Sequence, residues 1–214
     1  MDTVFWILEL VGVVAFALSG AMLAIQNEMD IFGVCVLGSI TAVGGGIIRD
    51  VLLGITPPTV LVDCTSVFIA IFVSIVVFLP FNQKLLRRKS HKIYDTIMLI
   101  ADSIGLGIFT IMGVNVSFSV LSHPSLFMSV CLGVITGVGG GVVRDMIVQH
   151  KPYIFVKHFY ACAAIIGAAI SAILRSYTDE LYATFIGFGV ILTLRLLAAK
   201  FRWKLPKYSS FFEE

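Results

Sequence analysis

Two stretches of this chain carry residues that could do chemistry. Gly44-Gly45-Gly46-Ile47-Ile48-Arg49-Asp50 and Gly139-Gly140-Gly141-Val142-Val143-Arg144-Asp145 share the pattern Gly-Gly-Gly-x-x-Arg-Asp. Both lie inside apolar runs with no other charge close by. Each places a guanidinium and a carboxylate one short turn beyond a backbone stripped of side chains. Three consecutive glycines cost a helix about 3 kcal/mol against alanine in water. In lipid the unpaired backbone costs more, because no solvent takes its hydrogen bonds. Such a triplet persists where neighbouring protein or a wet cavity receives the freed groups. The spacing therefore predicts a kinked or unwound, pore-lining segment at Gly44–Gly46 and again at Gly139–Gly141, whose carbonyls could face a dehydrated cation. The competing account is close packing of small residues between helices. Nothing in the chain resembles a catalytic triad, a nucleotide loop or a metal cluster, so neither an enzyme nor a cofactor or metal is expected.

The remaining charges in apolar surroundings are few. Besides Arg49, Asp50, Arg144 and Asp145 they include Glu9, Asp102 and Arg195. A charge at mid-membrane costs roughly 3 kcal/mol or more, so it pairs or faces water. Arg49 stands about 6 Å beyond its triplet at 1.5 Å per residue, a depth that Glu9 matches in its own segment. Arg144 and Asp102 give the mirror case. The expected ion pairs are thus Glu9–Arg49 and Asp102–Arg144. Adjacent residues on a helix point about 100° apart, which makes Arg49–Asp50 a poorer pair and leaves Asp50 and Asp145 to attract cations. As locks the paired charges would pin segments together; as pore charges they would gate a path and set its selectivity. Arg195, near a segment end, is expected to snorkel. Asp63 and His158 occupy equivalent segment starts, where an acid suits the helix dipole.

Elements able to position these residues follow from composition. The chain has 214 residues, 58% of them hydrophobic and only 13% charged, with a mean hydropathy of +1.01. So few charges cannot cover a water-facing surface, and lipid is the implied solvent. A net charge of +2 suggests no nucleic-acid partner. Cys35, Cys64, Cys131 and Cys162 have no paired spacing and read as small packing residues. A spanning helix needs about 20 apolar residues. Seven windows qualify: roughly 4–25, 31–54, 60–80, 94–115, 125–148, 153–174 and 180–200. Basic residues crowd the connection after the third window (Lys84, Arg87, Arg88, Lys89, Lys92), that after the fifth (Lys151, Lys157) and the tail (Lys200, Arg202, Lys204, Lys207). With seven crossings these share one side, so the C-terminus is expected in the cytoplasm and the N-terminus outside, with anionic membrane lipids against the basic runs.

The motif copies stand 95 residues apart, and Pro57 matches Pro152 at the same offset. At an offset of 93, Glu9 meets Asp102, Gly12 meets Gly105, Phe16 meets Phe109 and Gly20 meets Gly113. The chain is therefore read as an all-α integral membrane protein of seven transmembrane helices. Residues 1–90 form one three-helix unit with a basic loop, 91–176 a second, and 177–214 a seventh helix and tail. Three crossings per unit invert the second relative to the first, an architecture used by transporters and channels with sites near the midplane.

Two copies of Gly-Gly-Gly-x-x-Arg-Asp in the second and fifth of seven spans resemble the prokaryotic members of the trimeric intracellular cation channel family. The resemblance implies a homotrimer in a prokaryotic plasma (inner) membrane, with a pore in each protomer. It implies conduction of monovalent cations, chiefly potassium, along a path lined by the second and fifth helices at the two triplets. Arg49, Asp50, Arg144 and Asp145 would be its motif charges. Animal members carry Lys-Glu-Val where this chain has Gly-Gly-Gly. Related bacterial sequences have been described as glycine transporters, and the same repeat could serve alternating access; a secondary transporter of a small solute such as glycine is the alternative.

Overall fold

The computed structural model describes residues 2–79, 91–152, 159–201 and 203. Eight helices, and no strand, are found among them: α1 Asp2–Gln26, α2 Ile31–Leu52, α3 Thr59–Val62, α4 Thr65–Phe78, α5 His91–Val120, α6 Leu126–Ile147, α7 Tyr160–Arg175 and α8 Glu180–Phe201. Helices α1, α2, α5, α6 and α8 are long and apolar enough to cross a membrane; α4 and α7 are apolar but have 14 and 16 residues. The third expected window is divided. There the Asp63 carboxylate accepts hydrogen bonds from the Thr65 amide (3.0 Å) and hydroxyl (2.6 Å), which separates α3 from α4. Helix α5 runs five residues past its expected end, because no breaker precedes Ser122-His123-Pro124. His158, Lys157 and most of the expected basic residues of the third connection and the tail lie outside the described residues.

The two motif helices are built alike. Asp30 caps α2 by accepting from the Gly33 amide, and Ser125, 95 residues on, caps α6 by accepting from the Met128 amide. Both helices close with a left-handed residue, Gly54 after α2 and Gln149 after α6. Amides of Ile55 and His150 then return to the carbonyls of Asp50 and Asp145.

Small residues let the helices approach. Ala17, Ala21 and Ala24 of α1 are wholly buried, as are Ala163, Ala164 and Ala168 of α7. The contacts between the halves are reciprocal. Phe16 packs on Gly105 and Phe109 on Gly12, and the two rings stack with centroids 5.3 Å apart. Gly20 abuts Thr41 as Gly113 abuts Thr136, and each threonine hydroxyl donates to the carbonyl four residues back. A methyl group added to Gly45 would strike the Thr136 carbonyl, and one added to Gly140 the Thr41 carbonyl. Exchange of partners of this kind marks a self-complementary, two-fold-like contact. Outside it, Phe32, Phe68, Phe72 and Phe127 stand exposed, an apolar exterior suited to lipid.

Candidate functional site

Helices α2 and α6 run unbroken through Gly44–Gly46 and Gly139–Gly141. The expected unwinding is therefore not there, since helix continues through both triplets. Triplet glycines serve instead as the floor of a helix crossing: Gly45 and Gly140 bring the two backbones into contact. The lost helix propensity is offset by that packing, which no residue with a β-carbon allows. Gly44 and Gly46 face more room, a β-carbon on Gly44 meeting the Cα of Gly140 on the facing helix at an ordinary 3.5 Å.

Arg49 and Arg144 stand at matching places beyond Gly45 and Gly140, yet their surroundings differ. Arg49 donates from Nε (2.9 Å) and Nη2 (2.7 Å) to one oxygen of Asp50. The other Asp50 oxygen accepts from the amide (2.8 Å) and hydroxyl (2.6 Å) of Thr59, at the start of α3. The expected Glu9–Arg49 pair is absent. Glu9 instead accepts from the Ser66 hydroxyl at 3.1 Å. Adjacency was no obstacle to Arg49–Asp50, since the long arginine side chain folds back across the angle between neighbours. Asp50 is consequently not free to attract cations; it is 1% exposed and holds four hydrogen bonds.

A cavity of about 320 Å³ opens at this end, lined by Glu9, Arg49, Thr59, Asp63 and Ser66 over an apolar wall that includes Phe109. Glu9 and Asp63 form no ion pair among the described residues. Asp63 lies between α3 and α4, where its carboxylate accepts the two hydrogen bonds from Thr65. Arg49 is the cation of the lining, and Asp50 offsets it at contact distance.

The Arg144 end is sealed. Arg144 is fully buried and donates to Asp145 (Nε, 2.9 Å), to Asp102 (Nη1, 3.0 Å) and to the Ser19 hydroxyl (Nη1, 2.6 Å). The expected Asp102–Arg144 pair therefore forms, and Asp145 joins it rather than remaining free. Arg195 does not snorkel. It is 1% exposed, stands 3.9 Å from Asp102 and lies with its guanidinium 4.5 Å above the Tyr160 ring, a cation–π geometry. Two arginines and two aspartates thus balance within one dry cluster, as buried charges must. Sequence reasoning missed Ser19, Thr59, Tyr160 and Arg195. Only Arg195 carried a signal, as a charge in an apolar helix that was read as superficial. Among the described residues no group of three or more metal-binding side chains comes together.

Known proteins share this organisation. A family model described as "Glycine transporter" matches twice, at residues 6–82 and 99–176, so the two halves are copies of one unit. The UPF0126 inner membrane protein YadS of Escherichia coli is 38% identical over 96% of both chains. A solved structure reported for conductance through TRIC cation channels superposes with a TM-score of 0.83, at 38% identity, over 96% of this chain and 98% of the other. A crystal structure of a prokaryotic TRIC channel in 0.5 M KCl gives 0.86 at 31% identity, over 96% and 100%.

Proposed function

This chain belongs to the family of the prokaryotic TRIC channels and the UPF0126 bacterial membrane proteins, and from that premise we propose that it is a cation channel, passing small monovalent cations with potassium the expected one. The observation that carries the reading is the charge of the open cavity. Glu9 and Asp63 face it without cationic partners among the described residues, while the charge of Arg49 is cancelled by Asp50. A concave, low-dielectric mouth with a net negative lining concentrates cations and excludes anions.

The rest of the architecture follows from this reading. We take α3 with α4, and α7, as short spans beside the five long ones, giving seven in an inverted three-plus-three arrangement with α8 outside it. Reciprocal contacts at Phe16–Gly105 and Gly45–Thr136 support a two-fold relation, and three crossings per unit would invert it. The basic connections then lie in the cytoplasm of a bacterium, with the N-terminus and the Glu9–Asp63 mouth outside. Residues 1–90, 91–176 and 177–214 are the corresponding units. Three such chains would assemble with a path in each.

The conformation described is closed at its centre, because α2 and α6 touch at Gly45 and Gly140 and the Arg144 cluster excludes solvent. Conduction requires that cluster to part or the crossing to slide. Glycines on both contact faces leave no side chain to obstruct such a movement.

Reconstitution of the purified protein in planar bilayers tests the proposal. Discrete, ohmic potassium currents are expected, and they should vanish in a Gly45→Val, Gly140→Val double variant that remains monodisperse. A second reading, exchange of a small solute such as glycine, draws on the family model's description and on the contrast between an open cavity beside Arg49 and a buried Arg144 cluster. Saturable counterflow of labelled glycine without unitary currents would replace the channel with that transporter.

A further inference from the structure

A second cavity, of about 230 Å³, meets the first at Met112 and Val116 and lies between the start of α1, the end of α5, the end of α7 and the start of α8. Its lining includes Phe5, Asn115, Phe118, Ser119, Arg175 and Glu180. Arg175 and Glu180 form an ion pair across it (3.0 Å), each side chain a little over one quarter exposed, and the guanidinium lies 5.8 Å from the Phe118 ring centre.

Two residues that line this cavity each carry a buried polar atom with no partner among the described residues. One is Nε of Arg175, a buried donor on a guanidinium that gives only Nη2 to Glu180. The other is Oδ1 of Asn115, a buried acceptor. Asn115 is 9% exposed and anchored by its Nδ2, which donates to Thr184 at 2.9 Å. An unpaired buried donor or acceptor costs about 1–3 kcal/mol, so a site holding one of each is built to receive something. Its complement has an anionic oxygen for Arg175 and, a few bonds away, a positively charged donor for Asn115 that Glu180 also favours.

We propose that this cavity binds a zwitterionic group, an oxygen acid seated on Arg175 with a protonated amine seated on Asn115. The favoured source is the headgroup of an aminophospholipid. The site sits at the ends of apolar helices, where headgroups lie, and Phe5 and Phe118 give the adjoining glycerol and acyl carbons an apolar wall. A free amino acid presents the same pair of charges. The inference stands on this cavity alone and does not depend on the channel reading.

The test uses the purified full-length protein in detergent, with thermal unfolding followed as phosphatidylethanolamine, phosphatidylglycerol or free glycine is added. Stabilisation by phosphatidylethanolamine, with affinity falling about tenfold or more in Asn115→Leu and in Arg175→Gln, supports the proposal and assigns the lipid. The same pattern with glycine alone supports the site and assigns a soluble ligand. Equal stabilisation by phosphatidylglycerol overturns it, since the amine end would be idle. No stabilisation, or stabilisation undiminished in both variants, overturns it too, leaving a cavity that holds ordered water only. Should Asn115→Leu fail to fold, Ser119→Trp at the exposed rim closes the mouth without touching the buried polar atoms. Undiminished binding in Ser119→Trp would likewise overturn the proposal.

Discussion

Arg49 and Arg144 hold the same place in two copies of one motif, and each donates to the aspartate that follows it, yet one borders an open cavity and the other is sealed from solvent. The difference lies in what the rest of the chain brings to each. Ser19 of α1 reaches Arg144, whereas the position 93 residues further on, which could have served Arg49, is Met112. Tyr160 fills the Arg144 end beneath Arg195; 95 residues earlier stands Thr65, which turns to Asp63 instead. Arg195 comes from α8, a helix with no counterpart in the first unit. Duplicated motifs thus fix the reactive groups, and unduplicated neighbours decide whether those groups meet water.

The comparison is most exposed to breakage at the arginines. Arg144→Ala strands two buried carboxylates and should cost about 3–5 kcal/mol in thermal or denaturant unfolding of the purified protein. Arg49→Ala leaves Asp50 its two Thr59 hydrogen bonds beside an open cavity, and should cost about 1 kcal/mol. Equal losses would erase the distinction between the ends.

At the crossing the halves should instead behave alike. Gly45→Ala and Gly140→Ala each force a methyl group onto a carbonyl of the facing helix and should destabilise by about 1–3 kcal/mol, to similar extents. Gly44→Ala and Gly46→Ala have room and should be neutral, or stabilising by up to about 1 kcal/mol through helix propensity. A large asymmetry between Gly45 and Gly140 would argue against a reciprocal contact.

Arg195→Gln removes a charge from the sealed cluster alone. It should destabilise by about 1–3 kcal/mol and, in bilayers, raise the fraction of time that the channel is open. Unaltered gating would make Arg195 a structural brace only.

The smallest stability effect belongs to the open end. Glu9→Gln and Asp63→Asn should stay within about 0.5 kcal/mol of the parent in unfolding. Both should still lower cation conductance at low salt, with the loss fading as ionic strength shortens the Debye length to about 3 Å near 1 M. Conductance that ignores both substitutions at low salt would remove the mouth from the pathway.

Some of this was legible from residue order. Helix positions followed from runs of apolar residues, and the duplication from the repeated motif and the pairs that match at the two offsets. Asp102–Arg144 followed from matching depths. The failures share a cause. Glu9–Arg49 looked as sound by depth as its mirror, but Arg49 found Asp50 first, at its own backbone. The triplets looked like breaks because helix propensity was weighed without the packing that only the facing helix supplies.

The sequence determined on its own that this chain is helical, that lipid is its solvent, and that one unit with its arginine and acid occurs twice, because composition and periodicity act locally along the chain. Tertiary structure alone decided that the glycines form a crossing and not a break, that one arginine is dry and the other borders a cavity, and that Arg195 and Tyr160 complete the seal. Those outcomes depend on contacts between residues that lie tens of positions apart, where burial and hydrogen-bond satisfaction, absent from any local pattern, set the free energy.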